Sequence, residues 1–441
     1  MSSDFQVSPL ADVCLKIGSG ATPRGGKEAY RGGDFALIRS QNVYNEGFTP
    51  GGLAFINKEQ ADQLSNVEVM PGDVLLNITG DSVARCCSVP DNALPARVNQ
   101  HVSILRADEK HLHGDYLRYF LISRKSQNLL LALASGGATR NALTKGMLES
   151  FLIQLPPFSQ QKAIAHILGT LDDKIELNRR TNETLEGIAK ALFKSWFVDF
   201  DPVRAKVEGR PTGLPDEISE LFPDSFEESE LGGIPSGWSC SSVYDLADYV
   251  NGASHSSKTL NENRLGYPVI KINELKNGFT DQTKYWDADF KDKHLVVSGD
   301  ILFSWSGNPD TSIGTFVWSK QDGLLNQHIF KVVPQNSKWR SFVLSVLRSN
   351  QGSFADIARD KQTTGLGHVT VKDLKEMMCP IASVNVMSSF SALTDDIFNR
   401  CQNLILQIDV LKDLRDALLP RLISGELRVP DVEKMLEEVG I

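Results

Sequence analysis

The residues best equipped for chemistry lie in four short loops that come as two pairs. Ser135-Gly136-Gly137-Ala138-Thr139-Arg140-Asn141 is glycine-rich, basic and amide-bearing, and Lys361-Gln362-Thr363-Thr364-Gly365-Leu366-Gly367-His368 has the same character. Thr22-Pro23-Arg24-Gly25-Gly26-Lys27 is matched by Ser254-His255-Ser256-Ser257-Lys258, at an offset of 232 from Pro23 to His255. Glycine lets a backbone approach an anion closely, while Arg, Lys, Asn, Gln, Thr and His supply directional hydrogen bonds. The competing reading of each loop is a solvated connection before the next strand. Arg39 and Lys271, also 232 apart, either contact an anion or brace a strand.

Catalytic constellations fail on the same residues. A base-methylating site needs an Asn/Asp-Pro-Pro-Tyr/Phe string to hold a flipped base, and Asn308-Pro309-Asp310 and Asp201-Pro202-Val203 lack the second proline and the aromatic. The run from Gly18 to Lys27 misses phosphate-loop spacing, because residue 21 is Ala and residue 28 is Glu. His111 and His113 have no third metal ligand nearby and read as surface residues. Asp172-Asp173 and Asp395-Asp396 read as acidic starts of long helices, where negative charge offsets the helix dipole, rather than as nuclease ligands. These absences point away from an enzyme.

The loops are positioned by a repeat. Pro71-Gly72-Asp73-Val74-Leu75-Leu76 is echoed by Ser298-Gly299-Asp300-Ile301-Leu302-Phe303, and Asn99-Gln100-His101-Val102 by Asn326-Gln327-His328-Ile329, both at an offset of 227. Two copies of one domain are therefore expected. Each mixes short β-like runs (74–78, 102–105, 301–305, 330–333) with helical stretches (116–133, 340–358), which makes the fold α/β or α+β. The Gly-Asp before each central strand reads as a turn, with Gly free to take positive φ and Asp able to bond the next backbone N–H.

A long amphipathic helix follows each copy. Ile164, Leu168, Leu171, Ile175, Asn178, Asn182, Leu185, Ala189, Leu192 and Trp196 alternate steps of four and three, the a/d seam of a coiled coil. Phe390, Leu393, Ile397, Arg400, Leu404, Gln407, Leu411, Leu414 and Leu418 repeat that spacing 222 residues on from Leu168 to Phe390. Asn178, Asn182, Arg400 and Gln407 interrupt the seams, and polar groups there fix register and orientation at some cost in stability. Their competing reading is solvent exposure at a frayed stretch. Helices of about 35 residues span roughly 50 Å. Antiparallel pairing hides both seams and gives the two domains a pseudo-two-fold relation. Between the halves, 201–236 is proline-rich and acidic, a linker composition.

A length of 441 residues gives a prior of about three structural units, and 41% hydrophobic and 23% charged residues suit a soluble globular protein. No 18-residue apolar stretch or basic, apolar leader is present, so a cytoplasmic location without a membrane role is expected. The six cysteines form no C-x-x-C pair, which argues against structural zinc and a disulfide framework. Net charge is -9, which alone argues against phosphate binding, yet it is uneven. Residues 1–156 and 238–380 are at 0 and +1, while 157–237 and 381–441 hold -6 and -4.

Three motifs carry a resemblance: Phe197-Val198-Asp199-Phe200-Asp201-Pro202-Val203-Arg204-Ala205-Lys206, Leu231-Gly232-Gly233-Ile234-Pro235-Ser236-Gly237-Trp238, and Leu418-Leu419-Pro420-Arg421-Leu422-Ile423-Ser424-Gly425-Glu426-Leu427. With the repeated Gly-Asp turns and Asn-Gln-His segments, the chain resembles the specificity (S) subunit of type I restriction-modification systems (HsdS) along essentially its whole length. It departs at the start, where no Ile-Pro-x-Gly-Trp element precedes the first domain and the chain enters near Phe5-Gln6-Val7.

The resemblance implies target-recognition domains at 1–157 and 237–384, central and C-terminal helices at 158–200 and 385–427, a linker at 201–236 and a tail at 428–441. It implies a non-catalytic subunit that reads a bipartite, asymmetric target on double-stranded DNA, the helices setting the spacer. Two adenine methyltransferase subunits using S-adenosylmethionine, and restriction subunits using ATP and Mg, are the implied partners. This chain itself would bind no cofactor and would work at the nucleoid of a bacterium or archaeon. The outer helix faces, 196–204 and 419–427 become the implied docking surface. Arg24, Lys27, Arg39, Thr139, Arg140 and Asn141 become candidate DNA contacts of the first domain, and His255, Lys258, Lys271, Lys361, Gln362, Thr363 and His368 those of the second. Asn99-Gln100-His101 and Asn326-Gln327-His328, identical in domains expected to read different sequences, are instead expected to be structural or backbone-contacting. The rival reading is a coiled-coil scaffold whose twin domains bind protein or RNA.

Overall fold

The computed structural model describes residues 5–23, 30, 32–136, 141–255, 259–362 and 365–438, which form a mixed α/β protein with one domain fold present twice. Two compact units divide the chain, Met1–Ile175 with Val410–Ile441 and Glu176–Asp409. Each unit thus holds one repeat and segments of both long helices. Among the described residues no helix is long and apolar enough to cross a membrane.

In the first unit Gln6–Pro9 pairs antiparallel with Leu152–Leu155, and in the second Ser239–Ser242 pairs antiparallel with Met378–Ile381. The first domain therefore closes as the second does, although its opening motif differs. A four-stranded antiparallel sheet follows in each, ordered Cys14–Ser19, Val102–Ala107, Val74–Asn77, Cys86–Ser88 in one and Ala247–Asn251, Ile329–Pro334, Ile301–Ser304, Gly314–Val317 in the other. Val74, Leu75 and Leu76, like Ile301, Leu302 and Phe303, are fully or almost fully buried, so these strands read as unbroken apolar runs. A second sheet in each domain contains a parallel pair, Ala96–Val98 with Phe35–Ile38 and Gly323–Leu325 with Tyr267–Ile270.

The Gly-Asp turns recur in detail. Gly72 and Gly299 take φ of 82° and 96°, open to glycine because it has no Cβ. Asp73 accepts the N–H of Met70 at 2.7 Å and pairs with Arg106, while Asp300 accepts the N–H of Val297 at 2.8 Å and pairs with Lys331. The carboxylate therefore bonds the amide three residues behind it, not the next one along. Each expected long helical stretch is two helices, Gly114–Ile122 with Arg124–Ser135 and Arg340–Ser349 with Gln351–Asp360. At the first break the Ser123 hydroxyl accepts the Ser126 N–H and starts a new helix; at the second, Asn350 turns its side-chain amide back to the Val346 carbonyl.

The two long helices are Phe158–Phe197 and Val384–Ile423, 40 residues each. Asp172 and Asp395 consequently lie inside them, which corrects the reading of both as helix starts. Within the second unit the helices run antiparallel. Asn178 Nδ2 donates to Gln407 Oε1 at 3.2 Å, and further along the first helix Trp196 meets Phe390, earlier in the second, at 5.8 Å between rings.

Along the first helix Ile164, Leu168, Leu171, Ile175, Asn178, Ala189 and Trp196 are buried, with Asn182 and Leu185 half-buried. The second helix departs from its expected seam. Leu404, Leu411 and Leu418 are buried, Ile397 is half-buried, and Leu393, Arg400 and Gln407 are exposed. Phe398, Cys401 and Ile408 take the inward places. A helix that also packs against a globular domain shows a wider, 3.6-period stripe than a strict heptad allows, and Phe398 lies under Arg348 of that domain at 5.5 Å.

The segment 201–236 is folded, not merely a linker. It contains a helix at Asp201–Val207 and a hairpin of Phe226–Ser229 with Gly232–Pro235, and it buries Val203, Phe222 and Ile234 in the core of the second unit. Trp196, Phe197 and Phe200 join the same core, and Leu419, Leu422 and Ile423 are buried in the first unit. Most apolar residues of these motifs are therefore core, whereas Val198, Arg204 and Leu231 are exposed.

Candidate nucleic-acid interface

Each domain builds a ledge where four segments converge. In the first domain the Asn-Gln-His turn is held by Asn99 N to Ile38 O (3.0 Å) and Val102 N to Asn99 O (3.1 Å), and it bonds the central strand through Ile78 N to His101 O (2.9 Å). The second domain repeats all three: Asn326 N to Ile270 O (3.1 Å), Ile329 N to Asn326 O (3.1 Å) and Trp305 N to His328 O (3.3 Å).

The segment entering the ledge from the first long strand is pinned by Gly20 N to Val102 O and Ala21 N to Val98 O, and in the second domain by Gly252 N to Ile329 O and Ala253 N to Leu325 O. A Cβ on Gly20 would stand 2.0 Å from the Val98 carbonyl oxygen, and one on Gly252 would stand 2.1 Å from that of Asn326. Only glycine fits this crossing. From the other side, Thr79 bridges Ala142 and Leu143 N donates to Ile78 O; correspondingly Ser306 pairs with His368 and Val369 N donates to Trp305 O.

The structure thus brings the described ends of the two candidate loops of each domain to one place. Asn141 is exposed at the first ledge and accepts the Gly80 N–H through its carbonyl. His255 and His368 are half-buried at the second. Arg24, Lys27, Thr139, Arg140, Lys258 and Thr363 lie outside the described residues. Arg39 donates to the Gly52 carbonyl at 2.6 Å, so part of its guanidinium braces its own loop. Lys271 is half-buried and precedes the helix Ile272–Asn277. Lys361 forms an ion pair with the buried Asp373, while Gln362 is exposed.

Side chains distinguish the two ledges. In the first, Thr79 Oγ1 lies 2.6 Å from His101 Nδ1 and the Gln100 amide 3.3 Å from His101 Nε2, so both ring nitrogens are engaged. In the second, the Gln327 amide lies 3.2 Å from His328 Nε2, but His328 Nδ1 is buried without a partner. The position of Ile78 is taken by Trp305, whose ring lies 5.6 Å from His328 and 5.9 Å from His368, and whose Nε1 donates to Asn251 Oδ1 at 3.4 Å. His255 packs edge-on against Trp286 at 5.0 Å. Desolvation first, then the positive charges of His294 and Lys271, lower its pKa, so it is neutral near pH 7. Sequence reasoning passed over Trp305, Trp286, His294 and Asn251. The signal for Trp305 was available, since an offset of 227 sets it against Ile78.

Among the described residues no group of three His, Cys, Asp or Glu is placed to hold a metal ion. The ledges offer hydrogen-bonding and stacking groups to a ligand.

Comparison with known proteins bears on what that ligand is. Residues 2–187 and 235–392 match the family described as type I restriction modification DNA specificity domain. The chain is 25% identical to the type I restriction enzyme HindI specificity subunit of Haemophilus influenzae, over 88% of this chain and 95% of that one. It is also 25% identical to the MjaIX specificity subunit of Methanocaldococcus jannaschii, over 97% and 95%. The crystal structure of a type I restriction-modification system S subunit from M. genitalium superposes with a TM-score of 0.55, at 13% identity over 96% of this chain and 97% of that one, a likeness of fold.

Proposed function

Because the chain belongs to the type I restriction-modification DNA specificity family, we propose that it is the non-catalytic subunit that reads a bipartite DNA target, one half with each domain. The observation that carries this reading is the ledge built twice on the same backbone hydrogen bonds but furnished with different side chains. A repeated frame with divergent contact groups suits two related sites that differ in sequence, the asymmetric form of a dimer on a palindrome. Twin scaffold domains binding one kind of partner have no need of that divergence.

In this proposal the candidate contacts of the first domain are Asn141, with Thr139 and Arg140 beside it in sequence, together with Arg24, Lys27 and Arg39. Those of the second are His255, Lys271, Gln362 and His368 with Lys258, Lys361 and Thr363. The helical segments joining the domains set the unread spacer. Methyltransferase subunits carrying S-adenosylmethionine dock on exposed helix positions and supply much of the positive charge that a chain at -9 lacks. Restriction subunits, with ATP and Mg, join that complex.

Methylome sequencing tests this in cells carrying the chain with its neighbouring methyltransferase, beside a variant with several residues inserted near Asn182. A bipartite methylated motif, with an altered spacer or lost methylation in the variant, is the expected result. No motif in either case, with an active methyltransferase, returns the scaffold reading.

A further inference from the structure

The two ledges share their backbone and differ in what stands on it, and the difference concentrates at three aligned places. Ile78, Ala142 and Pro23 of the first domain correspond to Trp305, His368 and His255 of the second. The first two replacements touch. Trp305 and His368 rings lie 5.9 Å apart, both half-buried, on neighbouring segments where Ser306 pairs with His368.

Their polar atoms are not equally available. The indole N–H of Trp305 is already directed to Asn251, so the residue offers a ligand its ring and not its donor. His368 Nδ1 is buried without a partner, which leaves Nε2 as the ring nitrogen able to reach a ligand. With Nδ1 buried, the tautomer that carries its proton on Nε2 is the one that presents a donor to a ligand.

We propose that Trp305 and His368 act as a pair that determines the half-site read by the second domain. The His368 Nε2–H donates to an acceptor on a base edge, and the Trp305 ring gives apolar contact to the adjoining thymine methyl or sugar. Purine N7 and thymine O4 are such acceptors in the major groove, and a ring nitrogen in a fixed orientation separates them from the cytosine and adenine amino groups. The first domain, with Ile78 and Ala142 at these places, has no such pair and reads its half by other groups. This rests on the function proposed above.

The test is the methylome of cells carrying the full chain and its methyltransferase, with the chain unaltered, as His368→Ala, or as Trp305→Phe. Loss of one base contact relaxes discrimination by about tenfold or more at its position. His368→Ala is therefore expected to turn one position of one half into a degenerate one, leaving the other half and the spacer unchanged. Trp305→Phe is expected to weaken methylation at sites altered in that same half. An unchanged motif in His368→Ala overturns the inference while leaving the bipartite reading intact, as do effects of the two variants in different halves. Complete loss of methylation in His368→Ala also overturns it, by making the residue structural. If the unaltered chain yields no bipartite motif, the underlying reading fails and takes this one with it.

Discussion

The two units centre the junction between a domain and the long helices on different chemistry. In the first, Asp172 of one helix accepts from Arg118 at 2.8 Å, from Tyr119 at 2.7 Å and from Arg415 of the other helix at 2.8 Å. One carboxylate thus ties the domain and both helices together. In the second unit Asp395 accepts from Ser341, and the centre of the junction is aromatic. Phe197 lies 4.9 Å from Phe342 of the domain and 5.1 Å from Phe390 of the other helix, and Trp196 and Phe193 fill in around them. A buried carboxylate shared by three donors centres one junction and an aromatic cluster centres the other, where the peripheral Arg348–Glu186, Lys320–Asp409 and Ser341–Asp395 contacts also join domain and helices. A repeated fold therefore constrains where a junction must be, but not the forces that make it.

The contrast predicts different responses to mutation and to acid. The largest effect is expected at the aromatic junction, where Trp196→Ala opens a cavity in a close-packed cluster and costs about 4 kcal/mol. Hydrogen exchange of the 189–200 amides measures it, and a loss below about 1 kcal/mol would show that the cluster adds little. Next comes Asp172→Asn, which leaves Arg118 buried without its counter-charge and Arg415 with Asp416 alone, and costs about 3 kcal/mol, read at the 164–175 amides.

This second cost depends on pH. Burial opposes ionisation of Asp172, but Arg118, Arg415 and Tyr119 outweigh it and hold the carboxyl below its usual value. A carboxyl depressed in the folded state contributes stability that is present above its unfolded pKa, about 3.9, and is lost as pH falls through the folded value. The gap between the unaltered chain and Asp172→Asn should narrow below about pH 4, whereas the gap for Trp196→Ala should not. Parallel pH profiles would erase the distinction between the junctions. The smallest expected effect lies on the helix between them. Asn182 Oδ1 is buried without a partner, so Asn182→Leu should add about 1 kcal/mol of stability, read as a higher denaturant midpoint. A lowered midpoint would mean that this oxygen is satisfied in solution.

Much of the architecture was legible as pattern. The offset of 227 revealed the two domains, the turns and the Asn-Gln-His segments, because identical local chemistry leaves identical strings. The first helix seam was legible too, since Ile164 to Ile175 and Ala189 to Trp196 follow one spacing. The second seam was misread at Leu393 and Arg400, because a heptad rule knows nothing of the domain that rotates Phe398 inward. Asp172 was misread for a related reason. Its partners stand 54 residues before it and 243 after it, and no local pattern announces them. The same holds for the ledges, where Arg39 and Lys361 are partly spent on Gly52 and Asp373 while Trp305 gains two histidine neighbours.

By itself the sequence determined that a domain occurs twice, that a long amphipathic helix follows each copy, and where the central strands and the turns before them lie. These follow from short-range sterics, hydrogen bonding and the period of apolar residues. Tertiary structure alone decided which charges are neutralised, which helix face is inward where a domain adds its own surface, and which side chains of distant loops meet at a ledge. Those outcomes depend on contacts between residues far apart in the chain, whose energies exist only once the fold has brought them together.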